Sequence, residues 1–83
     1  EIRVDCPDDR KFLLAKKATE YFRQRYDVID IDGVRIKFPQ GWGLIRASNT
    51  QPALVLRFEA TSEAMLNEYR ALVQEKLAEF ERE

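Results

Sequence analysis

The sequence predicts an α+β fold in which an antiparallel sheet of about four to five strands carries two helices on one face. Two stretches with helical apolar spacing lie towards the ends of the 83-residue chain and flank a region of alternating apolar and polar residues. Turn signals at Asp32-Gly33 and at Phe38-Pro39-Gln40-Gly41 divide that region into short consecutive strands. Because each helix has one apolar stripe, a single sheet face can bury both of them.

Residues Ile2 to Val4 are predicted to form a short first strand that leads into the first helix. Pro7 suits the first helical turn, where its missing N–H costs nothing, and Asp8 and Asp9 complement the positive end of the helix dipole. The apolar face of this helix comprises Leu14, Ala18, Tyr21 and Phe22. We expect the helix to end near Tyr26.

The dipeptide Asp32-Gly33 is a strong signal for a two-residue hairpin turn between the second and third strands. Such a turn would place Ile31 opposite Val34 and Ile29 opposite Ile36. All four apolar side chains would then share one face of the sheet.

The next strand, from about Gly43 to Ser48, has a register that depends on the length of the turn before it. A four-residue loop would set Ile36 opposite Ile45, so that Ile45 and Ala47 join the core face and Arg46 points away from it. A three-residue loop would reverse the faces and bury Arg46. Since an unpaired buried guanidinium is costly, we favour the longer loop.

The last strand is predicted from the alternation of Leu54, Leu56 and Phe58 with polar residues, and Thr61 or Ser62 can cap the helix that follows. The apolar stripe of that helix comprises Leu66, Tyr69, Val73, Leu77 and Phe80. This completes the order strand, helix, three or four strands, helix.

Composition restricts the classes of function. Fourteen basic residues nearly balance fifteen acidic ones, which argues against a nucleic-acid partner, and no apolar stretch is long enough to suggest a membrane partner. Histidine is absent, so the commonest general base and metal ligand are missing. The single cysteine, Cys6, favours a reducing cytoplasm, and its position just before Pro7 suggests a helix-entry residue. We interpret residues 1–83, which begin without a methionine, as one domain of a longer protein.

A candidate anion-binding loop follows the fourth strand. Arg46 offers a planar fork of donors that suits phosphate oxygens, and Ser48, Asn49 and Thr50 add donors without a competing negative charge. Read without other information, the same residues also suit an ordinary polar turn between two strands. Gln51 is a neighbour that could supply a backbone N–H.

The loop and its flanks resemble the C-terminal domain of the bacterial phosphomannomutase/phosphoglucomutase group within the α-D-phosphohexomutase superfamily. The resemblance is carried by Asp32-Gly33-Val34-Arg35-Ile36, by Gly41-Trp42-Gly43-Leu44-Ile45-Arg46-Ala47-Ser48-Asn49-Thr50, and by Pro52 with Leu54-Val55-Leu56-Arg57-Phe58-Glu59-Ala60. It covers the layout of the whole chain and is specific mainly between residues 32 and 60.

The resemblance implies a TATA-box-binding-protein-like fold and a parent isomerase, an intramolecular phosphotransferase of four domains. In that family a phosphoserine in another domain exchanges phosphate with mannose or glucose phosphates through a bisphosphorylated intermediate, and aspartates of another domain hold Mg²⁺. The C-terminal domain closes the cleft and binds the phosphate that does not react. By position, Arg46, Ser48, Asn49 and Thr50 would bind this phosphate. The resemblance implies no catalytic residue, metal or cofactor in this chain, whose partners would be a hexose phosphate and the parent's other domains.

Two other classes of function stay open on the sequence alone. The chain could be a stand-alone α+β module that binds a protein or nucleic acid, or a domain with a purely structural role. Balanced charge and the lack of an aromatic-rich strand weigh against nucleic acid. Trp42 is expected to pack over the hairpin, and Arg35 and Arg57 are expected on the solvent face of their strands.

Overall fold

The computed structural model describes residues 1–83 and confirms the predicted α+β fold. Its elements are β1 (Ile2–Asp5), α1 (Asp8–Arg23), β2 (Asp27–Ile29), β3 (Val34–Phe38), β4 (Gly41–Ala47), β5 (Ala53–Ala60) and α2 (Glu63–Glu81). The five strands form one antiparallel sheet in the order β1-β5-β4-β3-β2. Strand β4 therefore lies at the centre of the sheet, and both helices pack against the sheet on one face.

The core is one cluster of 13 buried residues that joins both helices to the inner face of the sheet. Its members are Cys6, Leu14, Ala18, Phe22, Val34, Ile36, Phe38, Ile45, Leu54, Leu56, Tyr69, Val73 and Leu77. The rings of Phe38 and Tyr69 stack with centroids 4.2 Å apart, and the Tyr69 hydroxyl accepts a 2.9 Å hydrogen bond from the backbone N–H of Gln40. Helix α2 is thereby attached to the turn between β3 and β4.

Helix α2 begins after one of the two predicted caps, and α1 begins one residue later than predicted, because Pro7 precedes its first turn. In α1 the backbone N–H groups of Arg10 and Lys11 donate to the carbonyl of Pro7, which immediately precedes the helix. In α2 the cap is Ser62, whose hydroxyl accepts a 3.2 Å hydrogen bond from the backbone N–H of Met65. Helix α1 ends at Arg23, three residues before the expected end.

The predicted register of the β2–β3 hairpin is wrong by one residue. The structure pairs Val28 with Ile36 and Ile29 with Arg35, so four residues, 30–33, connect the strands instead of two. A one-residue shift exchanges the two faces of a strand. Consequently Val28 packs against the core, whereas Ile29 is 50% exposed and Ile31 82% exposed.

Aromatic packing before β2 explains this register. The ring of Tyr26 meets Phe38 edge-on at 4.9 Å between centroids and lies 6.3 Å from that of Phe22. Because Tyr26 points into the core and side chains alternate between the two faces of a strand, Val28 points inwards and Ile29 points outwards. Gly33 then closes the longer loop with φ of 86°, where a Cβ atom would collide with the carbonyl oxygen of Ile45.

The turn between β3 and β4 is also shorter than predicted. It contains only Pro39 and Gln40, so Ile36 lies opposite Gly43 and not opposite Ile45. The difference in register is two residues, which preserves the faces of the strand. Ile45 is accordingly buried and Arg46 is exposed, as predicted. Gly43 suits this pairing because a Cβ there would come within 2.9 Å of the Phe58 ring.

Candidate functional site

The candidate loop, residues 48–52, connects the central strand β4 to β5 at one end of the sheet. The structure places all four predicted site residues at this point: Arg46, Asn49 and Thr50 are exposed, and Ser48 is half-buried. Since Arg46 alternates with the buried Ile45, its side chain lies on the sheet face opposite the helices. The loop is thus accessible from solvent while its ends are fixed by the two best-paired strands.

Hydrogen bonds within the loop give it a defined shape. The Ser48 hydroxyl oxygen accepts from the backbone N–H groups of Thr50, at 3.3 Å, and Gln51, at 3.2 Å. The Ser48 N–H donates to the carbonyl of Ala53, and the Ala53 N–H donates to the carbonyl of Gln51. Because the Ser48 oxygen serves as an acceptor in these bonds, its own O–H remains able to donate to a ligand. The N–H of Gln51, considered above as a ligand contact, is engaged by Ser48.

Lys11 in α1 and Cys6, the residue after β1, also hold the loop. The ammonium group of Lys11 donates to the carbonyl of Gln51 at 3.0 Å. The backbone N–H of Cys6 donates to the carbonyl of Pro52 at 2.8 Å. Lys11 was not predicted from the sequence. Its partner is a backbone carbonyl 40 residues away, and no residue pattern reports such a contact.

One carboxylate lies beside Arg46. Asp32, in the β2–β3 loop, has its Oδ2 atom 3.5 Å from a guanidinium nitrogen of Arg46, and the two side chains are 77% and 48% exposed. An ion pair this exposed contributes little to stability. Asp32 is therefore a weak competitor that an incoming anion can displace from Arg46.

The outer face next to Arg46 combines cations with apolar surface. The Arg35 guanidinium lies 4.6 Å from the centre of the half-buried Trp42 ring, so Trp42 packs on the sheet beside Arg35. Arg35 and Arg57 are exposed, as predicted. A shallow depression of about 270 Å³ is lined by Ile29, Ile31, Asp32, Arg35, Leu44 and Arg46.

The lone cysteine is not poised for chemistry. Cys6 is buried, and burial raises the pKa of its thiol, with a further increase from the negative charge of Glu81. A raised thiol pKa lowers the fraction of reactive thiolate at neutral pH. Cys6 therefore serves in packing at the entry to α1, in keeping with the expectation from its position.

Two general features complete the description of the chain. No group of three histidine, cysteine, aspartate or glutamate side chains is arranged to hold a metal ion. Neither helix has a stretch that is both long enough and apolar enough to cross a bilayer.

The fold and loop together define a class of protein: a small two-layer α+β domain with a donor-rich candidate anion loop at the end of its central strands. A family model described as phosphoglucomutase/phosphomannomutase, C-terminal domain, matches residues 1–76. The chain is also 38% identical over 78 residues to a phosphomannomutase/phosphoglucomutase of Pseudomonas aeruginosa, covering 93% of this chain and 17% of that protein. Over 65 residues it is 48% identical to a phosphoglucomutase of Neisseria meningitidis, covering 74% of this chain and 14% of that protein.

A solved structure from the same family is also similar to this chain. The crystal structure of a phosphoglucomutase/phosphomannomutase family protein from Burkholderia thailandensis matches with a TM-score of 0.66 and 36% identity, covering 84% of this chain and 15% of that one. The chain thus spans less than a fifth of the length of these relatives. It belongs to the phosphoglucomutase/phosphomannomutase family and corresponds to the C-terminal domain of its members.

Proposed function

We propose that residues 1–83 are the C-terminal domain of a longer cytoplasmic phosphohexomutase and that this domain binds the substrate phosphate that does not react. Arg46, Ser48, Asn49 and Thr50 are the ligands in this proposal. The parent enzyme interconverts the 1-phosphates and 6-phosphates of mannose or glucose through a phosphoserine and a bisphosphorylated intermediate. The relatives named phosphomannomutase and phosphoglucomutase support this assignment.

The observation that carries the proposal is the donor set of a loop whose shape is already fixed. Arg46 supplies a charged fork, the Ser48 hydroxyl can donate, and no residue from 48 to 52 carries a negative charge. Binding a preformed loop costs less ordering entropy than binding a disordered one. Because the bound phosphate does not react, the loop needs no base, nucleophile or metal ligand. The chain has no catalytic residue in this scheme.

The remaining chemistry belongs to the other domains of the parent. The reacting serine and the aspartates that hold Mg²⁺ lie outside this chain, and the ion when bound there stabilises charge on the transferring phosphoryl group. This domain contributes by orienting the sugar phosphate and by covering it when the cleft closes. Excluding water strengthens the hydrogen bonds between the loop and the phosphate.

The proposal is tested by following the amide chemical shifts of the 83-residue chain during titration with mannose 1-phosphate or glucose 1-phosphate. Glucose at the same concentrations is the control. We expect weak, phosphate-dependent shifts concentrated between Arg46 and Thr50. Equal shifts with glucose, or shifts confined to other parts of the sheet, would contradict the proposal that this loop binds the substrate phosphate.

Asp32→Asn is expected to strengthen phosphate binding by about two- to threefold, since it removes the carboxylate that competes for Arg46. The measurement is the dissociation constant for inorganic phosphate from the same amide shifts. Asp30→Asn is the matched control, because Asp30 lies in the same loop but pairs with Arg23. Equal affinity gains in the two variants would show a general charge effect and not competition at Arg46.

A further inference from the structure

Lys11 is the one charged residue among the 16 buried residues of the chain, with 5% of its surface exposed. Its ammonium group contacts two oxygens, the carbonyl of Gln51 at 3.0 Å and the Oδ1 atom of Asp8 at 2.9 Å. A lysine is rarely buried unless its charge has partners. One of the two partners here is the backbone of the candidate phosphate loop.

The Gln51 carbonyl is a central acceptor of that loop. It also accepts the N–H of Ala53, while the N–H of Gln51 donates to the Ser48 hydroxyl oxygen. The direction of the Gln51 peptide groups therefore influences the Ser48 hydroxyl, which is one of the proposed ligands. A donor that fixes the carbonyl from the helix side also fixes the loop segment that carries Asn49 and Thr50.

We propose that Lys11 is a positioning residue that holds the phosphate loop in its binding conformation from the helix side of the sheet. This inference rests on the proposed function, because it supposes that the loop binds phosphate. Arg46 lies on the opposite face and would contact the phosphate directly, whereas Lys11 acts through the Gln51 carbonyl. The single Asp8 carboxylate beside Lys11 is 73% exposed, so solvent screens its charge while the buried ammonium remains fixed at the loop.

The test uses Lys11→Met in the 83-residue chain, which removes the charge and the donor but keeps an unbranched apolar side chain. We expect the carbonyl carbon of Gln51 to shift, since it loses a charged donor, and the amides of residues 48–51 to become more mobile in the free protein. The dissociation constant for inorganic phosphate is expected to rise about three- to tenfold, which is less than for loss of a charged hydrogen bond to the phosphate itself, because Lys11 acts only through the loop.

Two control variants separate positioning from general effects. Lys17 lies on the same helix, and its ammonium group pairs with Glu83. Lys17→Met therefore removes a cation away from the loop, and it should leave the chemical shift of the Gln51 carbonyl and the phosphate affinity unchanged. Val73→Ala opens the core at α2 and lowers stability without a contact to the loop. If Lys11→Met acted only by destabilising the fold, Val73→Ala at equal loss of stability would weaken phosphate binding equally.

The outcomes distinguish the two proposals. Phosphate binding that is normal in both the wild-type chain and Lys11→Met would overturn the role of Lys11 and leave the proposed function intact. A Gln51 carbonyl shift that does not change in Lys11→Met would also overturn it. Failure of the wild-type chain to bind phosphate at residues 46–50 would overturn the proposed function and, with it, the inference for Lys11.

Discussion

Replacing Arg46 with alanine is expected to lower kcat/KM of the proposed parent phosphohexomutase by about 10- to 100-fold, because hydrogen bonds to charged groups contribute about 1.5–3 kcal/mol. The guanidinium is half-exposed and its only ion-pair partner is the exposed Asp32. Removing it should therefore leave the stability of the domain nearly unchanged. The loss belongs to substrate binding and orientation, and phosphorylation of the reacting serine should remain possible.

The measurement is steady-state kinetics of the complete enzyme, combined with thermal unfolding of the 83-residue chain. Arg57→Ala is the matched control, since Arg57 is an exposed arginine on β5 outside the loop. We expect turnover of Arg57→Ala to stay within about twofold of the wild type. If Arg46→Ala retained normal turnover and normal KM, Arg46 would not bind the substrate phosphate.

Replacing Phe22 with alanine is expected to lower the free energy of unfolding by about 3–5 kcal/mol, the usual cost of deleting a buried aromatic ring. Phe22 is fully buried and meets the ring of Tyr21 edge-on at 5.0 Å. A domain of 83 residues has a total stability of only about 4–12 kcal/mol at the usual value per residue. The variant should therefore lose a large share of the domain's total stability.

Urea denaturation followed by circular dichroism measures this loss. Phe12→Ala is the matched control because Phe12 lies on the same helix and is 60% exposed. Its substitution should change stability by less than about 0.5 kcal/mol. Similar losses for the two phenylalanines would mean that helix α1 does not present the face to the core that the structure describes.

Much of the fold could be predicted because two periods are visible in the chain. A period of two identifies the inner faces of β3 and β5, and helical spacing identifies Leu14, Ala18 and Phe22 in α1. The face of Arg46 was also predictable, since any loop that shifts the register by two residues keeps the faces unchanged. Local patterns therefore predict the buried face of a strand or helix better than they predict which residues of neighbouring strands pair.

The errors arise where tertiary contacts outweigh local signals. Asp32-Gly33 indicated a two-residue turn, but Tyr26 packs against Phe38 and sets the opposite face for β2. Ile29 and Ile31 consequently lie on the surface beside Arg46 and not in the core. Lys11 was missed for a similar reason, because its role depends on a carbonyl that only the folded chain brings near.

Part of the candidate site could be predicted from the sequence, and part of it could not. The donor types of Arg46, Ser48, Asn49 and Thr50 are visible in the sequence, and so is the absence of a carboxylate among residues 48–52. The hydrogen bonds that close the loop, the contact from the helix side and the nearby Asp32 are visible only in three dimensions. Together these features support the proposal that the loop is a preformed phosphate site.

A crystal structure of the complete enzyme with a bound hexose 1-phosphate tests the central claim most directly. We predict that, in the orientation where C6 receives the phosphoryl group, the phosphate on C1 lies within hydrogen-bond distance, about 2.7–3.2 Å, of Arg46 and the Ser48 hydroxyl. Arg46 should then have left Asp32. A bound substrate whose phosphate contacts only other domains, with the cleft closed and Arg46 still beside Asp32, would contradict the account.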